Sequence, residues 1–187
     1  MTARFDIAPT SLDGVMSVDR KPIGDARGFL DRLYDGAELG DLGFAGGIAQ
    51  VNHTLTGKRG TVRGMHFQYP PHAETKLVSC IRGAVFDVAV DLRKGSPTFL
   101  KWHGEMLSSE NNRALLIPQG FAHGFQALED GTELLYLHSA AYAPDAEGAL
   151  NQADPRLGIA WPLSITVLSE RDRGHAMLDD DFEGIEP

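Results

Sequence analysis

The chain has 187 residues and a formal net charge of −9, from 17 basic and 26 acidic side chains. This acidic balance excludes nucleic acid and anionic membrane surfaces as expected partners, because both repel negative charge. A phosphate-bearing ligand would need locally placed arginines. The length fits one domain, since domains commonly contain about 100–200 residues, and we expect residues 1–187 to form a single one.

Targeting signals are not evident in the sequence. Residues 1–20 lack an apolar segment, and apolar runs elsewhere stay shorter than the roughly 18 residues of a membrane-spanning helix. The single cysteine, Cys80, lies in an apolar stretch and cannot form an internal disulfide. We therefore expect a cytoplasmic protein with Cys80 in its core.

Short runs of β-forming residues, separated by 21 glycines and 10 prolines, predict an all-β chain. In chain order the predicted strands are residues 62–68, 76–82, 84–92, 99–107, 113–117, 124–128 and 133–139. The clearest is 84–92, where apolar residues surround Asp87 and Asp91 and residues 94–97 predict a turn. From Pro162 onward, polar residues predict loop and short helix. Closely spaced short strands favour a sandwich or jelly roll.

Two blocks resemble the paired motifs of cupins, G-x5-H-x-H followed by a glutamate and a glycine, and P-x-G-x2-H. Gln68 stands where the second histidine belongs and Lys76 where the glutamate belongs. The matching positions are Gly60, His66, Gly83, Pro118, Gly120 and His123. Because an ammonium opposes a bound cation, we expect a barrel without a metal, whose interior favours an anion such as an enolate or a phosphate.

His66 lies in the polar cluster of residues 63–68. In a regular strand, alternation would direct Arg63 to one face and His66 and Gln68 to the other. Taken alone, either His66 or His123 would favour the alternative of a hydrogen-bonded structural histidine in a barrel that serves only for packing.

Several blocks resemble, in the same order, the dTDP-4-dehydrorhamnose 3,5-epimerases. They are residues 25–28, 62–99, 115–125, 135–148 and 154–163, and together they span most of the chain. The resemblance implies a cupin jelly-roll barrel with short C-terminal helices and an N-terminal arm. It also implies a cofactor-independent epimerase that inverts C3 and C5 of dTDP-4-dehydro-6-deoxy-D-glucose to give dTDP-4-dehydro-L-rhamnose.

By this resemblance, His66 is the general base, Asp172 its partner carboxylate and Tyr136 the proton donor on the opposite face of the sugar. Lys76 would stabilise the negative charge that develops on the C4 oxygen. A carboxylate bonded to one imidazole nitrogen fixes the tautomer and favours the protonated form, which makes the other nitrogen a better base. Without the resemblance, Asp172 and Lys76 would be taken as surface residues and Tyr136 as a core aromatic.

The resemblance also implies contacts to the dTDP-4-keto-6-deoxyhexose substrate. Arginine forks suit phosphate oxygens, and Tyr142 matches an aromatic that stacks on the nucleotide base, although it could merely cover the core. The implied substrate-binding residues are Arg27, Gln50, Asn52, Arg63, His123 and Tyr142. In the family the arm that carries Arg27 reaches the neighbouring subunit's site, which implies a homodimer.

The chain departs from the family pattern after Phe29. An aromatic residue and a glutamate commonly follow there, whereas this chain has Leu30, Asp31 and Arg32. The identity of the nucleotide base therefore stays open, and Asp31 could replace the acid after a local register shift. The alternative functions are a monoepimerase on a related 4-keto sugar nucleotide, a non-catalytic sugar-nucleotide-binding cupin and a metal-dependent oxygenase.

Overall fold

The computed structural model describes residues 3–186, which form thirteen β-strands and two short α-helices. The strands are β1 Phe5–Pro9, β2 Met16–Arg20, β3 Ile23–Asp25, β4 Gly28–Leu30, β5 Gln50–Thr56, β6 Val62–Gln68, β7 Lys76–Arg82, β8 Ala84–Asp91, β9 Trp102–Ser108, β10 Arg113–Ile117, β11 Phe121–Ala127, β12 Thr132–His138 and β13 Glu147–Ala149. The helices are α1 Gly36–Leu39 and α2 Glu170–Arg173.

Two antiparallel sheets form the barrel. The first has the strand order β1-β2-β10-β7-β12-β5, and the second has the order β13-β6-β11-β8-β9. The hairpin β3-β4 belongs to neither sheet. The predicted all-β cupin jelly roll is confirmed.

Alternation along β8 shows how the second sheet is buried on both faces. Val85 and Ala89 belong to the core cluster that also contains Leu134 and Tyr136 of β12, and so face the first sheet. Val88 belongs to a second cluster, which includes residues of the C-terminal segment. The segment after Pro162 therefore covers the outer face of this sheet, with α2 as its short helix.

The predicted strands agree with the structure in the centre of the barrel. Residues 62–68, 76–82 and 113–117 have the predicted bounds. The strand predicted at 99–107 begins at Trp102 because residues 97–100 form a turn in which Leu100 has a φ of 60°. The strand predicted at 124–128 begins at Phe121, because Gly124 continues the strand instead of breaking it.

Gly64 and Gly124 let β6 and β11 approach closely. A Cβ on Gly124 would lie 2.5 Å from the sulfur of Met65, and a Cβ on Gly64 would lie 2.5 Å from the Cα of Gly124. No larger residue fits this crossing without movement of the backbone. The close approach pairs His66 with His123 across the two strands.

Both α-helices are four residues long. In α2 the N-cap is Ser169, whose Oγ accepts a hydrogen bond from the amide of Asp172 at 3.0 Å. Across the described residues, 3 to 186, the structure contains no helix with the length and apolar character needed to cross a membrane.

Candidate active site

A cavity of about 830 Å³ opens between the two sheets. This size is in the range of about 300–1,000 Å³ that is typical of ligand sites. Nine of the ten predicted site residues line it, namely His66, Asp172, Tyr136, Lys76, Gln50, Asn52, Arg63, His123 and Tyr142. Arg27 is the exception.

His66 and Asp172 form a hydrogen-bonded pair in this cavity. Asp172 Oδ1 lies 2.8 Å from His66 Nε2, and the carboxylate is 3% exposed. The amide of Gly64 donates to Asp172 Oδ2 at 3.4 Å, so α2 is joined to β6 at two points. Because a carboxylate only accepts, Nε2 carries the shared proton and Nδ1 is the basic nitrogen.

Burial dominates the ionisation of His66. It lowers the pKa of His66 below the ordinary value of 6.5, and this effect outweighs the upward pull of Asp172. Arg171, whose Nη2 lies 3.0 Å from His66 Nε2, lowers the pKa further. As predicted, the carboxylate favours the protonated imidazole, but burial outweighs this effect and the imidazole is neutral at neutral pH.

Asp172 remains a carboxylate. Burial alone raises its pKa, but the hydrogen bond and the attraction from His66 lower it more, with help from Gly64 and Ser169. The net pKa of Asp172 lies below its usual value. The pair thus consists of an anionic carboxylate and a neutral imidazole, which is the state a general base requires.

Lys76 is buried in the wall of the first sheet. Its Nζ forms an ion pair with Glu74 Oε1 at 2.9 Å and donates to the backbone carbonyl of His66 at 3.2 Å. An ammonium has three hydrogens, so one remains for a ligand in the cavity. Sequence reasoning missed Glu74, although a carboxylate two residues before a buried lysine is a usable signal.

Tyr136 lies on β12 in the first sheet, whereas His66 lies on β6 in the second. The proposed acid and base thus belong to facing walls of one cavity. Burial raises the pKa of the Tyr136 phenol, and the negative charge of Asp87 adds to this effect. The phenol therefore keeps its proton at neutral pH.

His123 and Asp87 form a second buried imidazole–carboxylate pair. His123 Nε2 lies 2.7 Å from Asp87 Oδ1, and Asp87 Oδ2 has no protein hydrogen-bond partner. The ring of His123 contacts that of Tyr136 edge-on, with 5.9 Å between centroids. The sequence suggested Asp87 only as a strand residue, because its partner lies 36 residues away.

A row of polar side chains follows the edge of the first sheet. The amide of Tyr142 donates to Gln50 Oε1 at 3.1 Å, and Gln50 Nε2 donates to Asn52 Oδ1 at 3.1 Å. Asn52 Nδ2 lies 3.4 Å from Nε2 of His138, which also lines the cavity. Sequence reasoning missed His138.

Arg63 lies on the cavity wall together with His66 and Gln68. The alternation prediction, which placed Arg63 on the other face, is wrong. His123 of β11 pairs with His66, but Phe125 pairs with Arg63, so β6 contains one extra residue between the pairs. This bulge reverses the alternation.

The side chain of Gln68, at the end of β6, is hydrogen-bonded to two loops. Its amide nitrogen donates to the carbonyls of His72 and Ala141, and its Oε1 accepts from the amide of Ala143 at 2.6 Å. The residue at the lost metal-ligand position therefore fixes two loops at the cavity.

Arg27 lies outside the cavity of its own chain, in the turn between β3 and β4, with its side chain 89% exposed. Its guanidinium pairs with Asp25. Asp31 is paired with the buried Arg20 at 2.8 Å. This pair engages Oδ2 alone, and Oδ1 has no hydrogen-bond partner among the described residues, so the role of Asp31 in place of the family acid stays a prediction.

His66, Asp172 and His175 are the set of ligand-type side chains within residues 3–186 that could hold a metal ion, with donor atoms within 4.8 Å of one another. His175 Nε2 lies 3.6 Å from Asp172 Oδ1. The guanidinium of Arg171, 3.0 Å from His66 Nε2, would oppose a cation there. This donor set fits a base better than a metal.

A cupin barrel with an imidazole–carboxylate pair facing a buried phenol and an ammonium defines a cupin enzyme equipped for proton transfer. The family model for dTDP-4-dehydrorhamnose 3,5-epimerase matches residues 9–180. The chain is 42% identical over 175 residues to the dTDP-4-dehydrorhamnose 3,5-epimerase of Salmonella typhimurium, covering 92% of this chain and 95% of that protein. The chain belongs to the dTDP-4-dehydrorhamnose 3,5-epimerase family and is an isomerase.

Solved structures give the same assignment. The 3,5-epimerase of Legionella pneumophila, in complex with dTDP-4-keto-L-rhamnose, has a TM-score of 0.88 and 35% identity, covering 98% of this chain and 99% of that chain. A 3'-monoepimerase from Streptomyces bikiniensis, in complex with dTDP-quinovose, has a TM-score of 0.82 and 37% identity, covering 90% and 86%. The family therefore includes enzymes named for inversion at one centre.

Proposed function

We propose that this chain inverts C3 and C5 of dTDP-4-dehydro-6-deoxy-D-glucose to give dTDP-4-dehydro-L-rhamnose, without a cofactor. One observation carries the proposal: the His66–Asp172 pair and Tyr136 lie on facing walls of a single cavity. A sugar ring bound between the walls would present one face to the base and the other to the acid. The relative and the solved structure named 3,5-epimerase support this substrate.

Each inversion needs one proton removed and one returned. His66 Nδ1 takes the proton from the carbon beside the C4 ketone, and the electron pair of the broken C–H bond moves onto the C4 oxygen to form an enolate. The remaining N–H of Lys76 stabilises that oxygen. Tyr136 then protonates the same carbon from the opposite face, and exchange with solvent restores both groups.

The remaining polar groups of the cavity suit the nucleotide and the sugar. Arg63 and Arg171 line the cavity and carry the forks that phosphate oxygens accept. Tyr142 is 54% exposed, which leaves its ring free to stack on a base. We assign Gln50, Asn52 and His123 to the sugar and the nucleotide, as the sequence predicted.

The direct test is incubation of the purified protein with the 4-keto sugar nucleotide in heavy water, followed by NMR. Loss of the proton signals at both C3 and C5 is the expected result. Exchange at C3 alone would favour the second candidate, a monoepimerase, which the likeness to the 3'-monoepimerase from Streptomyces bikiniensis supports. Binding of the nucleotide with no exchange at either carbon would support the alternative of a non-catalytic sugar-nucleotide-binding cupin.

A single domain, a homodimer in which Arg27 enters the neighbouring site, and a cytoplasmic location stay predictions. The exposed hairpin agrees with the second of these, because Phe29 is 75% exposed and Leu30 61% exposed. Covering apolar side chains as exposed as these with a partner is energetically favourable.

A further inference from the structure

His138 lines the cavity but has no part in the mechanism above. It is the last residue of β12, two residues from Tyr136, and so faces the same side of the sheet. Across the neighbouring strands it pairs with Lys76 on β7 and Gln50 on β5. Its imidazole is therefore next to both the proposed acid and the proposed oxyanion-stabilising ammonium.

The hydrogen bonds behind His138 fix its tautomer. This series of hydrogen bonds begins at the backbone amide of Tyr142. Because a backbone amide can only donate, the Gln50 atom that it contacts must be the side-chain carbonyl oxygen. Gln50 then donates to the oxygen of Asn52, which leaves the Asn52 amide nitrogen to donate to His138 Nε2. Nε2 accepts, and the ring proton of the neutral imidazole is on Nδ1.

The Nδ1–H group is available to a ligand. Within the described part of the chain it has no hydrogen-bond partner, and it is absent from the set of buried, unsatisfied side-chain atoms. Burial, together with Lys76 and His123, lowers the pKa of His138 to about 4. The imidazole therefore stays neutral at neutral pH, where its N–H donates hydrogen bonds.

Lys76 alone leaves the developing oxyanion incompletely satisfied. Two of its three hydrogens are held by Glu74 and by the carbonyl of His66. An enolate oxygen accepts more than one hydrogen bond, and sites that stabilise oxyanions commonly supply two donors. A second donor on the same wall would complete the arrangement.

We propose that the Nδ1–H of His138 donates to the C4 oxygen of the keto sugar beside Lys76, and strengthens this hydrogen bond as the enolate forms. The inference rests on the proposed function and adds one residue to it. Removal of one oxyanion donor typically lowers kcat by ~10²–10³-fold.

Packing is the competing explanation, because the His138 ring stacks on that of Tyr136 with 6.0 Å between centroids and an interplanar angle of 18°. Two substitutions separate the explanations. His138→Phe keeps an aromatic ring against Tyr136 but removes the N–H. His138→Asn removes the ring but keeps an amide N–H near the position of Nδ1.

The test is kcat and KM of the full chain on the 4-keto sugar nucleotide, with dTDP affinity measured for each variant. We expect His138→Phe to lower kcat by ~10²–10³-fold with little change in KM, and His138→Asn to stay within about tenfold of the wild type. His53→Asn is the matched control, because His53 lies on β5 outside the cavity and pairs with Glu133.

The inference is overturned if His138→Phe turns over as fast as the wild type, or if His138→Asn is the slower of the two. In either case the ring rather than the N–H would be what matters. Failure of the proposed function looks different, because the wild-type chain itself would then exchange no hydrogen with solvent at C3 or C5. That result would remove both proposals.

Discussion

At the scale of single residues, His66 has two neighbours of opposite charge at the same nitrogen. Asp172 Oδ1 lies 2.8 Å and Arg171 Nη2 lies 3.0 Å from Nε2. Arg171 also contacts Glu147 at 3.1 Å, which anchors it beside the base. The pKa of His66 therefore depends on the position of one half-exposed cation, Arg171.

The pH dependence follows from this arrangement. The base must be unprotonated, so kcat/KM should fall as the pH drops through the pKa of His66, which lies below 6.5 in the free enzyme. Arg171→Gln removes one cause of the lowering, and the acid limb should move to higher pH. Arg173→Gln, on the same helix but outside the cavity, is the control. An unmoved acid limb in Arg171→Gln would contradict the account.

At the scale of elements, the crossing of β6 and β11 sets the positions of His66 and His123. Replacing Gly124 by alanine would place a Cβ 2.5 Å from Met65 Sδ and 2.8 Å from the carbonyl of Arg63. Overpacking of this kind typically costs about 1–3 kcal/mol. We expect Gly124→Ala to lower the free energy of unfolding by about that amount and to reduce kcat.

The measurement for Gly124→Ala is chemical denaturation together with steady-state kinetics. Gly57→Ala is a matched control, because a Cβ at Gly57 meets nothing within 4 Å. Equal stability of the two variants would show that the crossing tolerates a methyl group, and that glycine is not required there.

The same elements show what can be predicted from this sequence. Strands with nearly continuous buried runs, such as β7 and β10, were predicted with their observed bounds. β5 was missed, because its alternating exposed and half-buried residues lack a strong apolar signal. The bulge in β6 depends on the pairing with β11, so Arg63 could not be placed correctly from local pattern. Glu74 lies only two residues from Lys76, so their ion pair was open to prediction from the sequence.

At the scale of the whole molecule, each site is predicted to be completed by a second chain. Arg27 lies outside its own cavity, in an exposed apolar hairpin. If it enters the neighbouring site, subunits carrying Arg27→Ala and subunits carrying His66→Ala should complement each other. After the two variants are mixed and their subunits exchange, the site with an intact His66 would receive an intact Arg27 from the other subunit.

Complementation is measured as turnover of the mixed variants, compared with each variant alone, with the molecular mass in solution determined in parallel. We expect a mass of two chains and a mixture more active than the sum of its components. A monomer, or a mixture no more active than Arg27→Ala alone, would remove the role of Arg27 in a neighbouring site.

Solvent exchange in Tyr136→Phe tests most directly whether His66 and Tyr136 act as base and acid from opposite walls of the cavity. Without the phenol, His66 can still remove a proton and return a solvent deuteron to the same face. We expect deuterium at C3 with the configuration retained in Tyr136→Phe, and no exchange in His66→Asn. Tyr136→Phe that inverts C3 as fast as the wild type, or His66→Asn that still exchanges, would contradict this mechanism.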